Sequence, residues 1–345
     1  MHSAEAILGM TMPGELFNCN ETEMKEEYRE LSKRWHPDLN KQDPLAAAVM
    51  SRVISLYEEG LKHLSEGKWM GQGFIQFRAI DGKWIRLKPM TSYSFELGDV
   101  YVCKNSVAYV IGKQHEAFID NYVQTVAGIR YHDAAMQKAF EPVVPRLKGR
   151  FETLRQYMLI VNKPEGYLPL RDVLSYYGGV MPDRHMAWVL STLYNIGCFL
   201  SYNGISHNGI HPDHYYISPS RHDGLLLGGW FYSVPYGERM LGAPADVFQI
   251  MSHRTKHLKQ GTYETDMDSI RLVGRMLSGD GSGHCLQGKS TMPKPVLDWL
   301  LGGAAGHPVE EYEAWDRTLL QGYGRKSFVR MDISASDLYP QATTN

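Results

Sequence analysis

Between Asn20 and Gly67 the apolar positions recur at helical spacing. Met24, Tyr28, Leu31 and Trp35 are separated by 4, 3 and 4 residues, a single stripe on a 3.6-residue period. Asn20 followed by Glu23 offers a capping acceptor and a carboxylate three residues on, so a helix is predicted to open there. Glu21 and Glu23 stand early, Lys33 and Arg34 late, as the helix dipole prefers. Pro37 ends the helix, because the residue before a proline avoids the α region. Asp43-Pro44 reads as the N-cap and first residue of a second helix. Its stripe is Met50, Val53, Tyr57, Leu61 and Leu64, and Gly67 is its stop. Two short helices facing each other bury little unaided. Ile7-Leu8 or Leu16-Phe17 is expected to supply a third element, with Pro13-Gly14 interrupting that stretch.

From Trp69 the period changes. Residues 74–78, 84–87, 99–103 and 107–111 alternate or run apolar, separated by Asp81-Gly82, Leu97-Gly98 and Lys104-Asn105. These are expected strands of an antiparallel sheet with short turns. After about Glu116 helical patterns dominate, at 133–140, 170–177 and 182–202. A small sheet followed by a larger helical block is an α+β pattern.

Composition narrows the function classes. A formal charge of −2 over 345 residues gives no global case for nucleic acid or an anionic membrane as partner. Cys19, Cys103, Cys198 and Cys285 lie far apart with no CxxC pair, so they read as reduced thiols, without a zinc site or disulfide framework. The amino terminus has no basic segment leading into an apolar one. The longest apolar stretch, 187–200, contains Ser191, Thr192 and Asn195, too polar to span a bilayer. The chain is expected to be soluble and cytoplasmic, without a membrane partner.

Lys25, Arg29, Lys33 and Arg34 taken alone describe a solvated helix face. What changes the picture is that this helix runs directly into His36-Pro37-Asp38, with an aromatic-bearing helix beyond. Residues 1–67 thereby resemble the J-domain of DnaJ-type co-chaperones, which stimulates ATP hydrolysis by Hsp70. The resemblance implies that the four cations dock an acidic patch on Hsp70, that His36 and Pro37 shape the loop, and that Asp38 presents its carboxylate to an Hsp70 arginine. His211-Pro212-Asp213 repeats the tripeptide with no basic helix before it and a strand after it, so that copy is not expected to act on Hsp70. There is no Gly/Phe-rich linker and no CxxCxGxG run, which places the chain nearer specialised members that carry the J-domain and one dedicated module.

A second resemblance begins after the long apolar helix. His207-Asn-Gly-Ile-His-Pro-Asp-His214 matches in spacing the protein-kinase catalytic loop His-Arg-Asp-Leu-Lys-Pro-x-Asn. His207 and Pro212 match, and Ile210 keeps the apolar position. Gly209 stands where the catalytic aspartate belongs, and His214 where the metal-binding asparagine belongs. The family's Asp-Phe-Gly is replaced by Gly228-Gly229-Trp230, without a carboxylate in any register. Asp266 would be the buried aspartate that braces the catalytic loop. Lys113 would match the phosphate-binding lysine of the third strand, and Glu141 its helix partner; only Gly98 stands where a Gly-rich phosphate loop is expected. The resemblance covers about residues 95–330. His207, His211 and His214 with Asp213 match no metal-ligand spacing, so no metal is expected.

The expected organisation is a J-domain at 1–67, a β-rich connector or first strands at 68–94, a kinase-like small lobe at 95–165, its helical lobe at 166–335 and a flexible tail at 336–345. The expected function is that of an Hsp70 co-chaperone. Residues 68–345, lacking base and metal ligands, would bind a client or partner without catalysis and without a cofactor. Two rivals are an atypical ATP-dependent phosphotransferase using Asp213 or Asp223, and an assembly protein with a vestigial hairpin.

Overall fold

The computed structural model of the chain describes residues 2–289, 292–324 and 329–340. It divides into two compact units, one of Met1–Gln114 with Gly149–Ile160, the other of His115–Lys148 with Val161–Asn345.

The first unit opens with α1 (Ala4–Gly9), α2 (Glu21–Trp35) and α3 (Ala46–Ser65). Asn20 caps α2: its Oδ1 accepts from the backbone N–H of Thr22 at 2.9 Å and of Glu23 at 3.3 Å. Helices α2 and α3 run antiparallel, with Met24 beside Gly60 and the Tyr28 ring stacked on Tyr57 at 4.1 Å between centroids. Ile7 and Phe17 both enter this core, so both candidate segments contribute; Ile7, Met24, Val49, Val53 and Leu56 are fully buried. The Arg52 guanidinium donates to the Met10 carbonyl and ties the end of α1 to α3. Helix α3 starts two residues later than Asp43-Pro44 suggests. Asp43 Oδ1 accepts from Leu45 N–H at 2.9 Å, closing a turn ahead of the helix instead of capping it. Gly67, at φ +68°, supplies the left-handed step that ends it.

The hairpin core is completed from outside residues 1–67. Trp69, on β1 (Lys68–Gly71), is 2% exposed and belongs to the same cluster. Replacing it by alanine, Trp69→Ala, is expected to cost about 3–5 kcal/mol, read as a loss in urea unfolding free energy. Strand β1 begins an antiparallel sheet ordered β1-β2-β3, with β2 (Phe74–Arg78) and β3 (Trp84–Leu87).

A second sheet follows, from β4 (Pro89–Phe95), β5 (Gly98–Cys103), β6 (Ser106–Gly112), β7 (Leu147–Glu152) and β8 (Gln156–Asn162), in the order β4-β5-β6-β8-β7. Strand β4 crosses the boundary expected at 94/95 because it pairs along its length with β5. Strand β7 lies at the sheet edge, and its Lys148 and Arg150 are exposed. A charged edge strand carries no apolar alternation to read.

The second unit contains α4 (Glu116–Ala127), α5 (Ala134–Phe140), β9 (Leu168–Pro169), α6 (Leu170–Tyr176), α7 (Asp183–Tyr202), β10 (Ile205–Ser206), β11 (Tyr215–Ser218), β12 (Asp223–Leu226) and β13 (Val234–Pro235). It continues with α8 (Ala245–Ile250), α9 (His253–Leu258), α10 (Tyr263–Leu277), α11 (Leu286–Lys289), α12 (Lys294–Leu301), α13 (Pro308–Tyr323) and α14 (Ala335–Leu338). Helix α7 is its centre, with Trp188, Leu190, Leu193 and Tyr194 fully buried, and α10 and α13 pack on it. A buried ion pair, Arg271 to Glu311 at 2.6 Å, lies under the Trp299 ring and joins α10 to α13. The tail expected from 336 starts inside α14, and just past that helix the Tyr339 hydroxyl donates to Asp172; residues 341–345 lie outside the described ones. Among the described residues no helix is long and apolar enough to cross a membrane.

Candidate functional site

Two places carry most of the residues singled out from the sequence. The first is the junction of α2 and α3. Lys25, Arg29, Lys33 and Arg34 are all exposed on α2. Lys25 is paired with Glu21 at 2.7 Å, and Arg34 lies over the Trp35 ring at 5.3 Å. Five glutamates share this helix, but the last turn holds only cations, so the positive field is concentrated next to the loop. His36 leaves the helix in an extended conformation and its Nδ1 accepts from Asp38 N–H at 3.2 Å. Asn40, absent from the sequence-derived set, fixes the loop: its Nδ2 donates to the carbonyls of Arg34 at 2.7 Å and His36 at 3.1 Å. The Asp38 side chain is 82% exposed, its carboxylate 3.8 Å from His36 Nδ1.

The second copy of the tripeptide shares the local turn but not the exposed setting. Asp213 N–H donates to His211 Nδ1 at 3.3 Å. There, however, Asp213 lies 3.5 Å from Arg171, and the buried His211 ring is flanked by Asp213 at 3.6 Å and Asp246 at 3.5 Å. That acid braces its own unit.

The second place is the loop from Ser206 to His214. Asp266, on α10, sends its two carboxylate oxygens to the backbone N–H groups of His207 and Asn208, at 2.7 and 2.8 Å. Asn208 adopts φ +55°, and its Nδ2 donates to the carbonyls of Ser206 and Tyr232. An asparagine tolerates that left-handed conformation, a signal legible only once the backbone is known. His214 is hydrogen-bonded through Nδ1 to the Gly209 carbonyl at 2.7 Å.

The glycines are what close the site. Gly229 sits at φ +79°, and a Cβ there would meet the Gly209 carbonyl oxygen and His207 Cε1, both at 2.6 Å. A Cβ on Gly209 would meet the Gly229 carbonyl oxygen at 2.8 Å and its Cα at 2.9 Å. A Cβ on Gly228 would meet the His214 ring at 2.9 Å. Positions 209, 228 and 229 are therefore closely packed against one another's backbone and against the His207 and His214 rings. His207 stands edge-on to Trp230 at 4.9 Å between centroids, and the His211 and His214 rings are 6.0 Å apart. Among the described residues no group of three or more His, Cys, Asp or Glu side chains is placed to hold a metal ion.

Lys113 lies beyond the end of β6, not on it, and pairs with Glu152 at 2.6 Å. Glu141 pairs with Arg146 at 2.9 Å. Lys113 and Glu141 are thus each paired with a residue other than the one expected from sequence. Val107 to Ile111, the interior of β6, is apolar and buried on both faces and offers no cation for a phosphate. One residue of shift, from strand to the turn after it, decides this, and the sequence does not resolve where a strand stops.

The buried acid and imidazole oppose each other in pH. Burial raises the Asp266 carboxyl to about 7, against the pull of its two backbone bonds. In the unfolded chain it titrates near 4, so its stabilising contribution is complete below about pH 4 and is lost as pH rises through 7. Burial, reinforced by His214, holds His207 well below the usual imidazole range. Its contribution is present above about pH 6.5 and is lost as pH falls. Asp266→Asn is expected to remove the first trend alone. Between pH 5 and pH 8 the wild type should lose about 3 kcal/mol of unfolding free energy relative to that variant, measured by urea denaturation.

No protein-family model matches the sequence, and no curated protein matches it. Solved structures do. The structure of vaccinia related kinase 3 superposes with a TM-score of 0.51 at 13% identity, covering 75% of this chain and 94% of that one. The fold is protein-kinase-like. The crystal structure of the BubR1 kinase domain matches at a TM-score of 0.46 and 12% identity, over 81% of this chain and 87% of that one. Phosphoryl transfer on such a fold relies on a metal-held phosphate and a carboxylate that orients the nucleophile. Positions 209, 214, 228 and 229 hold glycine, histidine, glycine and glycine, none of them a carboxylate.

Proposed function

We propose that this chain is a DnaJ-type co-chaperone, in which the α2–α3 hairpin stimulates ATP hydrolysis by an Hsp70 and the kinase-like domain holds a client or partner without transferring phosphate. One observation carries the reading: an acid exposed at 82%, in a loop locked by His36 and Asn40, directly after a helix turn bearing only cations. Such a surface suits a partner that presents acidic groups around an arginine, where complementary charge sets orientation and on-rate. The filled glycine loop supports the second half, because a site without room for a carboxylate side chain has no place for a catalytic base.

The test is steady-state ATP turnover of a DnaK-type Hsp70 with and without the full chain. Acceleration at micromolar concentrations is expected; an unchanged rate would leave the hairpin a structural element. Calorimetric titration with Mg-ATP alone addresses the phosphotransferase reading. No heat of binding is expected, and tight, metal-dependent binding would favour that rival.

A further inference from the structure

Among the described residues Leu39 is the most exposed large apolar side chain, at 72%. Isolated surface leucines ordinarily carry no message. This one is not isolated from the proposed chemistry. It follows Asp38 directly, and the exposed Lys33 and Arg34 stand on the helix turn before the loop. Residues 38–44 wall an open hollow of about 680 Å³ whose other members are Asp38, Asn40, Lys41, Gln42, Asp43 and Pro44.

The loop does not need the leucine for its own shape. Its backbone N–H donates to the His36 carbonyl at 3.0 Å, a bond any residue except proline makes. The turn is held by His36, Asn40 and Asp43. An apolar group among charged and amide side chains, on a hydrogen-bonded loop and spared by the fold, has the anatomy of an interface centre with a polar rim.

We propose that Leu39 is the apolar anchor of this docking face, seating in an apolar socket beside the acidic surface of the Hsp70 ATPase partner that Asp38 contacts. The occupant follows from charge: the cations of the last α2 turn lead to an acidic surface, and Leu39 follows them in the same exposed stretch of chain, next to Asp38. The inference rests on the co-chaperone reading. Asp38 then supplies the trigger, and Leu39 supplies affinity, since burying its isobutyl group removes apolar surface from water without touching the charges.

The experiment titrates the full chain against ATP turnover by a DnaK-type Hsp70, comparing wild type, Leu39→Ser, Leu39→Met and Asp38→Asn. Leu39→Ser is expected to raise the concentration for half-maximal stimulation at least tenfold while leaving maximal stimulation unchanged. Leu39→Met, which keeps an apolar anchor, should stay within threefold of wild type. Both should melt with the wild type, because the side chain is exposed. A Leu39→Ser curve that overlays wild type while Asp38→Asn is silent would overturn the anchor and spare the co-chaperone reading. No stimulation by the wild type would overturn both. Sedimentation velocity covers one other occupant: a wild-type dimer dissolved by Leu39→Ser would assign Leu39 to self-association and overturn the proposal.

Discussion

Asp38→Asn is expected to leave the fold intact and abolish stimulation of Hsp70 ATP turnover. The structural half follows from exposure: at 82% exposed, the carboxylate contributes little to stability, so unfolding should change by no more than about 0.5 kcal/mol. The functional half follows from what an interface would do to that same group. A charge-assisted pair that becomes desolvated on docking is worth about 2 kcal/mol or more, and removing one partner leaves the other charge buried and unpaired. Stimulation should therefore fall at least thirtyfold at a fixed concentration. The second tripeptide is the internal control. Asp213→Asn removes a carboxylate that lies against Arg171 and His211, so it should weaken the kinase-like domain and leave stimulation per folded molecule unchanged. Circular dichroism melts and ATP turnover on both variants separate the two effects.

Gly229→Ala is expected to be among the most damaging single-methyl changes in the chain. The residue sits at φ +79°, where an L side chain is strained, and its Cβ would lie 2.6 Å from both the Gly209 carbonyl oxygen and His207 Cε1. Neither neighbour can retreat easily: Gly209 is backbone, and His207 is fixed through its N–H to Asp266. Overpacking in a close-fitted interior costs about 1–3 kcal/mol, and the unfavourable φ adds about 1 kcal/mol, so a loss near 3 kcal/mol is expected in urea unfolding. The same geometry governs any attempt to restore catalysis. Gly209→Asp places an acid where the kinase resemblance expects one, but its Cβ would stand 2.8 Å from the Gly229 carbonyl oxygen and 2.9 Å from its Cα. The expected result is a destabilised chain with no phosphotransfer to a general protein substrate, read with radiolabelled ATP. Phosphotransfer by that variant would show that the loop opens and that the glycines are not a lock.

These residues also show what a sequence discloses. Asn20, Pro37 and Gly67 gave the hairpin its ends because caps and breakers act locally, and the stripe of Met24, Tyr28 and Trp35 gave its face. Strands 74–78 and 84–87 were legible because one face of each is buried and the other is not. Strand β7 was not, being polar at a sheet edge, and β4 was not, because none of its residues is fully buried. At the loop from Ser206 to His214 the sequence showed glycine and histidine where the kinase resemblance expects an aspartate and an asparagine. It did not disclose that the vacated positions are in mutual contact, since Gly209 and Gly229 meet only through tertiary folding. Lys113 misled for a related reason: lysines near strand ends are common, and only the backbone shows that β6 stops at Gly112. The role of Asn40 was hidden because its bonds run to carbonyls, which no residue letter records.

The central claim is that the hairpin loop acts on the ATPase of another protein. Single-turnover hydrolysis of ATP prebound to a DnaK-type Hsp70 tests it most directly, with the full chain added in excess and His36→Gln as the matched control. The account predicts a rate that rises with added wild-type chain and stays at the basal value with the variant, whose loop loses the Nδ1 acceptor for Asp38 N–H. Equal rates for wild type, variant and Hsp70 alone would contradict it.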